Sequence, residues 1–236
     1  MNIYSLVFKD LKSFKNLEKE KVFKRFFKTE KGEYGYGDKF WGITVSNIRS
    51  VAKKYYREIT FEEIVRLIED EIHEVRLTGY IILTYKFEKA NHKGREEIFE
   101  FYINNLSGCN NWDIVDLSCS KIVGNYLIED ISKRDVLYKF VKSKNLWEQR
   151  ISIVSTYSFI HNNDFEDTLK ISRFLLNHKH DLIHKAVGWM LREVGKRDLE
   201  TLRGFLKENV KDIPRTTLRY AIEKMNEEER RNYLSM

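Results

Sequence analysis

The stretch Asp113-Ile114-Val115-Asp116-Leu117-Ser118-Cys119-Ser120-Lys121-Ile122-Val123-Gly124 decides the fold, because its texture recurs along the chain. Similar segments begin at Arg76 (RLTGYIIL), Arg150 (RISIVSTYSFI) and Lys185 (KAVGWMLREVG), at separations of about 37, 37 and 35 residues. Each opens on a polar or basic residue and then carries an apolar face at helical spacing. Each also follows another amphipathic stretch. Two helices per unit, with a period of about 35 to 45 residues, is the pattern of HEAT and armadillo repeats, which bury their apolar faces only against neighbouring repeats. The expected class is therefore all-α: a curved α-solenoid of HEAT-like or armadillo-like helical repeats, forming one domain over residues 1–236. No linker rich in Pro, Gly or Ser marks a boundary.

The flanking sequence agrees. The chain has 236 residues, 42% of them hydrophobic and 14% aromatic, which is enough for a sizeable core. One proline and eleven glycines leave long runs free for helix. Ile3, Leu6, Val7, Leu11 and Phe14 form a helical stripe. Residues 17–28 read as a second helix with Val22, Phe23, Phe26 and Phe27 as its apolar face. Thr60 and Glu63 form a capping box. A long helix is expected over residues 71–90, with a break near Gly79, and another runs from the Trp112 region to Leu127. Further helices are expected at 146–161, 165–176, 182–194, 199–207 and 215–225, with Asp198 and Asp212 as N-caps. Residues 32–42 hold four glycines and read as a structured loop. That loop lacks a Gly-Lys-Ser/Thr ending and a preceding strand, so it does not read as a nucleotide site.

The net charge of +6 suggests an acidic partner, most simply a nucleic acid. Two cysteines make neither a disulfide framework nor a zinc site, and a reducing, cytoplasmic setting is expected. No apolar run is long enough for a membrane span, and residues 1–15 lack the core of a signal peptide. The histidines at 178, 180 and 184 lack an HExxH frame, so no metal is expected there; contact with phosphates is the preferred reading. No Ser-His-Asp or Cys-His arrangement is visible.

The chemistry concentrates at the start of the quoted stretch. Trp112 and Asp116 are four apart and share one face of a helix. Asp116 lies among Ile, Val and Leu and must be either exposed or paired. Two readings stand: a salt bridge to Arg150 across a repeat interface, or a carboxylate lining a groove. Trp189 follows Gly188 in a helix interior, where glycine costs about 1 kcal/mol against alanine; this points to close approach by a neighbour. Arg150 and Trp189 are the candidates to face the first pair.

These residues resemble a known family, the AlkD-type alkylpurine DNA glycosylases. The resemblance runs from Phe26-Phe27-Lys28-Thr29-Glu30-Lys31-Gly32-Glu33-Tyr34 and Gly37-Asp38-Lys39-Phe40-Trp41-Gly42-Ile43, through Asn111-Trp112-Asp113-Ile114-Val115-Asp116, to Ala186-Val187-Gly188-Trp189-Met190-Leu191-Arg192-Glu193. Trp41 departs from the pattern, which has a smaller apolar residue there, and the first two helices are only loosely similar. The resemblance implies a helical solenoid that holds duplex DNA and hydrolytically releases cationic bases such as 3-methyladenine and 7-methylguanine. It implies Asp116 as the catalytic carboxylate, Trp112 and Trp189 as the site rings and Arg150 as a phosphate clamp. Arg76, Lys121, Lys185 and Arg192 are the expected further DNA contacts. It also implies a monomer that needs no cofactor or metal and works without a dedicated base pocket. Two other readings stay open: a non-catalytic DNA-binding repeat protein recognising bent or branched duplex, and a protein-interaction scaffold.

Overall fold

The computed structural model describes residues 2–235. Every regular element among them is helical except one isolated β-bridge between Lys39 and Ile72, so the all-α expectation holds. The chain forms two compact units, Met1–Ser118 and Cys119–Met236.

The first unit contains α1 (Ile3–Ser13), α2 (Leu17–Phe26), α3 (Val45–Tyr55), α4 (Phe61–Ile68), α5 (His73–Lys89), α6 (His92–Asn104) and α7 (Trp112–Cys119). Its centre is α5, which packs against α3, α4 and α6 and is buried on nearly all sides from His73 to Thr84. The helix does not break at Gly79. A Cβ there would lie 3.1 Å from Ile68 Cγ1 and 3.2 Å from Leu67 Cβ, so this glycine serves the close approach of α4. The capping box forms as expected: Thr60 Oγ1 accepts from Glu63 N–H, and Glu63 accepts from Thr60 N–H. The reading of α2 needs correction. None of its residues is buried; Val22 is 61% and Phe26 59% exposed. Helix propensity and the Asn16 cap form α2 without a buried face, and only Phe27, just past its end, enters the core.

The second unit contains a π-helical turn (Ser120–Gly124), α8 (Asn125–Glu129) and a 3-10 turn (Ile131–Lys133). Then come α9 (Asp135–Val141), α10 (Leu146–Val154), α11 (Tyr157–His161), α12 (Glu166–Leu175), α13 (Asp181–Arg197), α14 (Leu199–Asn209), α15 (Arg215–Ala221) and α16 (Glu227–Ser235). Helices α10, α13 and α15 stack in sequence, with α9 beside α10 and with α12 and α14 beside α13. Stacked helical pairs of this kind are how α-solenoid repeats bury their faces.

Gly188 behaves as expected: a Cβ there would lie 2.5 Å from Tyr220 Cβ and 2.6 Å from Thr217 O, so glycine lets α15 dock on α13. The single helix expected over 146–161 is instead α10 and α11. At the break, the Thr156 amide and hydroxyl both bond Ile153 O, at 3.2 and 2.7 Å, which tightens the turn. Asp198 caps α14 through Thr201 N–H, but Pro214, not Asp212, occupies the cap position of α15.

Candidate active site

In the first unit the site is built on α7 and on the loop before α3. The loop backbone is set by Glu74, a buried residue in the first turn of α5. Its Oε1 accepts the amides of Trp41, Gly42 and Ile43 at 3.1, 2.8 and 3.1 Å. Gly42 has φ +74°, and a Cβ there would meet Asn16 O at 2.1 Å, so no other residue fits this turn. Trp41, the departure noted in the sequence, is buried, with Phe8 edge-on at 5.0 Å and the Lys15 ammonium 4.0 Å from its ring centroid.

The same loop delivers Asp38 to the start of α7. Its Oδ1 accepts from Arg76 Nη2 at 2.6 Å and from Asn110 Nδ2 at 3.0 Å, and its Oδ2 accepts from Asn111 Nδ2 at 3.3 Å. Oδ2 also lies 3.5 Å from His73 Nδ1, and His73 Nε2 is 2.8 Å from Asp113 Oδ2. His73 is almost fully buried. Burial pushes its pKa down, but Asp113 and Asp38 outweigh this and raise it to about 9, so the imidazolium form persists at neutral pH. It also stacks on Phe40 at 4.6 Å and lies 5.0 Å from Phe27, with aromatic faces beside its charge. Burial works against the Asp38 anion too, but His73 and Arg76 hold its pKa below the usual carboxylate range. Two anions and two cations thus form a buried, charge-balanced cluster behind the α7 N-terminus.

Trp112 and Asp116 stand one turn apart on α7, and both are half-buried. Trp112 Nε1 donates to Tyr34 Oη at 3.3 Å. Its ring stacks on Phe27 at 5.4 Å and meets Phe26 edge-on at 5.6 Å. Trp112 and Asp116 line one cavity of about 360 Å³, together with Phe26, Phe27, Ile48 and Leu77. The helix below them is pinned by Ser118, whose Oγ donates to Ile114 O at 2.6 Å and lies 2.9 Å from Tyr102 Oη. Cys109 and Cys119 are buried and form no disulfide, and burial pushes the Cys109 thiol up to about 12. A thiol so held is a poor nucleophile at neutral pH.

In the second unit Arg150 is buried in α10 and its Nη1 donates to Leu182 O on α13. Trp189, on α13, is half-buried with its ring 5.8 Å from Tyr157. Lys121 is exposed. Lys185 pairs with Asp181 at 2.7 Å, and Arg192 pairs with Glu223 and, at 3.6 Å, with Glu193. Arg76, by contrast, is buried in the first unit, where its guanidinium reaches Asp38, Asn110 and the Asp70 carbonyl. In this structure it organises the α7 start rather than presenting a free fork to a phosphate. The histidines at 178–184 act locally. His180 Nδ1 accepts Leu182 N–H at 3.2 Å and caps α13, and His178 Nε2 lies 2.9 Å from Gln149 Oε1. Among the described residues no cluster of His, Cys, Asp or Glu is placed to hold a metal ion, and no helix is long and apolar enough to cross a membrane.

Sequence reading alone did not single out Tyr34, Asp38, His73 or Glu74. The glycine spacing of residues 32–42 was the available signal for the first two. The polar His73-Glu74 pair opening an otherwise apolar helix was the signal for the others.

The profile of a family described as DNA alkylation repair enzyme matches residues 7–225. A predicted DNA alkylation repair enzyme from Enterococcus faecalis has a similar structure, with TM-score 0.71 and 16% identity over 90% of this chain and 97% of that one. AlkD2 from Streptococcus mutans is similar with TM-score 0.57 and 16% identity, over 78% and 91% of the two chains. The protein smu.31 from Streptococcus mutans UA159 is similar with TM-score 0.53 and 17% identity, over 95% and 100%. At these identities the likeness speaks for the fold. No curated protein matches the chain significantly. The family match spans nearly the whole sequence, and the chain belongs to the DNA alkylation repair enzyme family.

Proposed function

We propose that the protein is a monofunctional DNA glycosylase that hydrolyses the N-glycosidic bond of cationic alkylated purines in duplex DNA. The observation that carries this reading is Asp116, a half-buried carboxylate beside the Trp112 ring on the wall of an aromatic cavity. An N3- or N7-alkylated purine already bears a positive charge. It departs with the bonding electron pair as a neutral base, so no general acid is required. The sugar left behind becomes oxocarbenium-like, and water then adds at C1′ and loses a proton. A fixed carboxylate stabilises that developing charge more than it stabilises the ground state, which is what accelerates a reaction. A contribution of about 4 kcal/mol would correspond to about a thousandfold in rate.

Trp112 offers a ring face to the cation, worth roughly 0.5 to 2 kcal/mol. Its orientation is held by Tyr34, Phe26 and Phe27. The family resemblance assigns Trp189 the second ring and Arg150 a phosphate contact, and Lys121, which is exposed, is proposed as a further phosphate contact. Lys185 and Arg192 would have to exchange their carboxylate partners for phosphate, and Arg76 takes no part in this scheme.

The test is release of 7-methylguanine from methylated duplex by wild type and by Asp116→Asn, with duplex affinity measured in parallel. The expected result is a rate about a hundred- to a thousandfold lower at unchanged affinity. Equal release by both removes Asp116 from the chemistry. Salt-sensitive binding by wild type with no release from any alkylated duplex would favour the non-catalytic DNA-binding reading.

A further inference from the structure

The entry of α13 is built from imidazoles. The His180 amide donates to His178 Nδ1 at 3.0 Å, and the Leu182 amide donates to His180 Nδ1 at 3.2 Å. These are two consecutive bonds from a side chain to the amide two residues on, the turn that asparagine usually makes. An Nδ1 that accepts carries no proton, so both rings are neutral with their hydrogen on Nε2. His178 Nε2 then donates to Gln149 Oε1 at 2.9 Å, and His184 Nε2 donates to His178 O. Arg150 follows Gln149 on α10, and its Nη1 donates to Leu182 O. Leu182 is thus gripped at its amide by His180 and at its carbonyl by Arg150. Charged groups at the turn are Lys179, Arg150, and Asp181 in its pair with Lys185. The bond from Lys185 holds the Asp181 pKa below the usual carboxylate range, so Asp181 stays charged near neutral pH. From α15, the Thr216 hydroxyl reaches Asp181 and the Thr217 hydroxyl reaches His184 O.

The other helices with a described side-chain cap use Asn, Thr or Asp, which keep one charge state near neutral pH. Imidazole does not. A proton on Nδ1 removes the acceptor and puts a positive charge at the positive end of the α13 dipole, so both effects oppose the cap. Burial, with His180 and His184 beside it, lowers the His178 pKa from its ordinary 6.5. The folded chain therefore binds this proton less tightly than the unfolded chain. The arrangement is complete above pH 6.5 and is lost as pH falls below it.

We propose that residues 178–184 form a proton-operated latch: neutral imidazoles fix the entry of α13 and the Arg150 contact with Leu182, and protonation opens it. His178 and His180 are then positioning residues for Arg150, and the reaction slows when the latch opens. That last consequence rests on the glycosylase reading; the latch itself does not.

Ring nitrogen spectra and amide exchange test the latch without DNA. At pH 7.5 His178 and His180 should be Nε2–H tautomers, and His178 should titrate below pH 6.5. Across that transition the protection factor of the Leu182 amide should fall about tenfold per pH unit. The double variant His178→Asn/His180→Asn keeps both turns without a titrating ring, and its protection should stay level. Nδ1–H tautomers, a midpoint at or above 6.5, or protection that ignores the transition would overturn the latch; all three are read on wild type, whatever the variant does. Initial release of 7-methylguanine, corrected for spontaneous loss, should fall with the same midpoint in wild type and not in the variant. His73 does not interfere, because its raised pKa of about 9 keeps it charged throughout this range. A latch that titrates while release ignores it sinks the coupling alone. No release at any pH sinks the glycosylase reading and leaves the latch to its own test.

Discussion

The buried His73 cation makes the stability of the protein depend on pH in a direction opposite to that of most carboxylate pairs. In the unfolded chain an imidazole titrates near its ordinary value of 6.5; in the fold Asp113 and Asp38 raise it to about 9 against the cost of burial. The folded state therefore binds the proton more tightly. The stabilisation is complete below pH 6.5 and is lost as pH rises through about 9. At 1.36 kcal/mol per pH unit this amounts to about 3 kcal/mol, of which about 2 falls between pH 7 and 9. Cys109, whose thiol burial pushes up to about 12, contributes in the same sense only above pH 9, so the window belongs mainly to His73. Urea unfolding at pH 6, 7, 8, 9 and 9.5 measures the loss, and His73→Gln should flatten the curve across pH 7 to 9. Since that variant also loses a buried ion pair, the imidazole Cε1–H shift of His73 in wild type gives an independent reading. A midpoint at or below 6.5, or the same pH dependence in wild type and variant, refutes the account of the cluster.

Other outcomes follow from the same geometry. Glu74→Gln replaces a carboxylate that accepts three loop amides and should cost about 2 to 3 kcal/mol in urea unfolding; a change under about 0.5 would show that the loop holds itself. Gly188→Ala puts a methyl within 2.5 Å of Tyr220 Cβ and should destabilise by about 1 to 3 kcal/mol, a loss that vanishes if α15 shifts freely. Lys121→Ala should weaken binding to any duplex and make log K less steep against log salt by about one unit, whereas an unchanged slope removes Lys121 from the interface.

Much of this fold could be read directly from the residues. The recurrence of the Arg76, Asp113, Arg150 and Lys185 segments predicted stacked helical pairs, because a face at 3.6-residue spacing needs a partner. Local chemistry fixed the Thr60 and Asp198 caps, and the need for close approach explained Gly188. The reading failed where distant contacts decide. Nothing in the phenylalanine spacing of residues 22–27 distinguishes a face packed on a core from one that borders a cavity, and α2 is the second kind. The helix over 146–161 divides because the Thr156 hydroxyl and amide both turn back to Ile153, a competition that periodicity does not register. At the site, Trp112 and Asp116 were legible as a pair one turn apart. Their supports were not, since Asp38 lies more than seventy residues from the asparagines it holds. For the same reason Arg76, a basic residue opening a repeat segment, read as a surface contact and turned out to be half of a buried ion pair.

The bond from Tyr34 to Trp112 and the grip of Asp38 on Asn110 and Asn111 mean that α7 is not a self-sufficient cassette. Transplanting only the Trp112–Asp116 turn into another helical repeat would transfer the two proposed site residues without the parts that position them. A working graft would have to include the glycine loop and the opening turn of α5, three pieces scattered in sequence that behave as one inherited block.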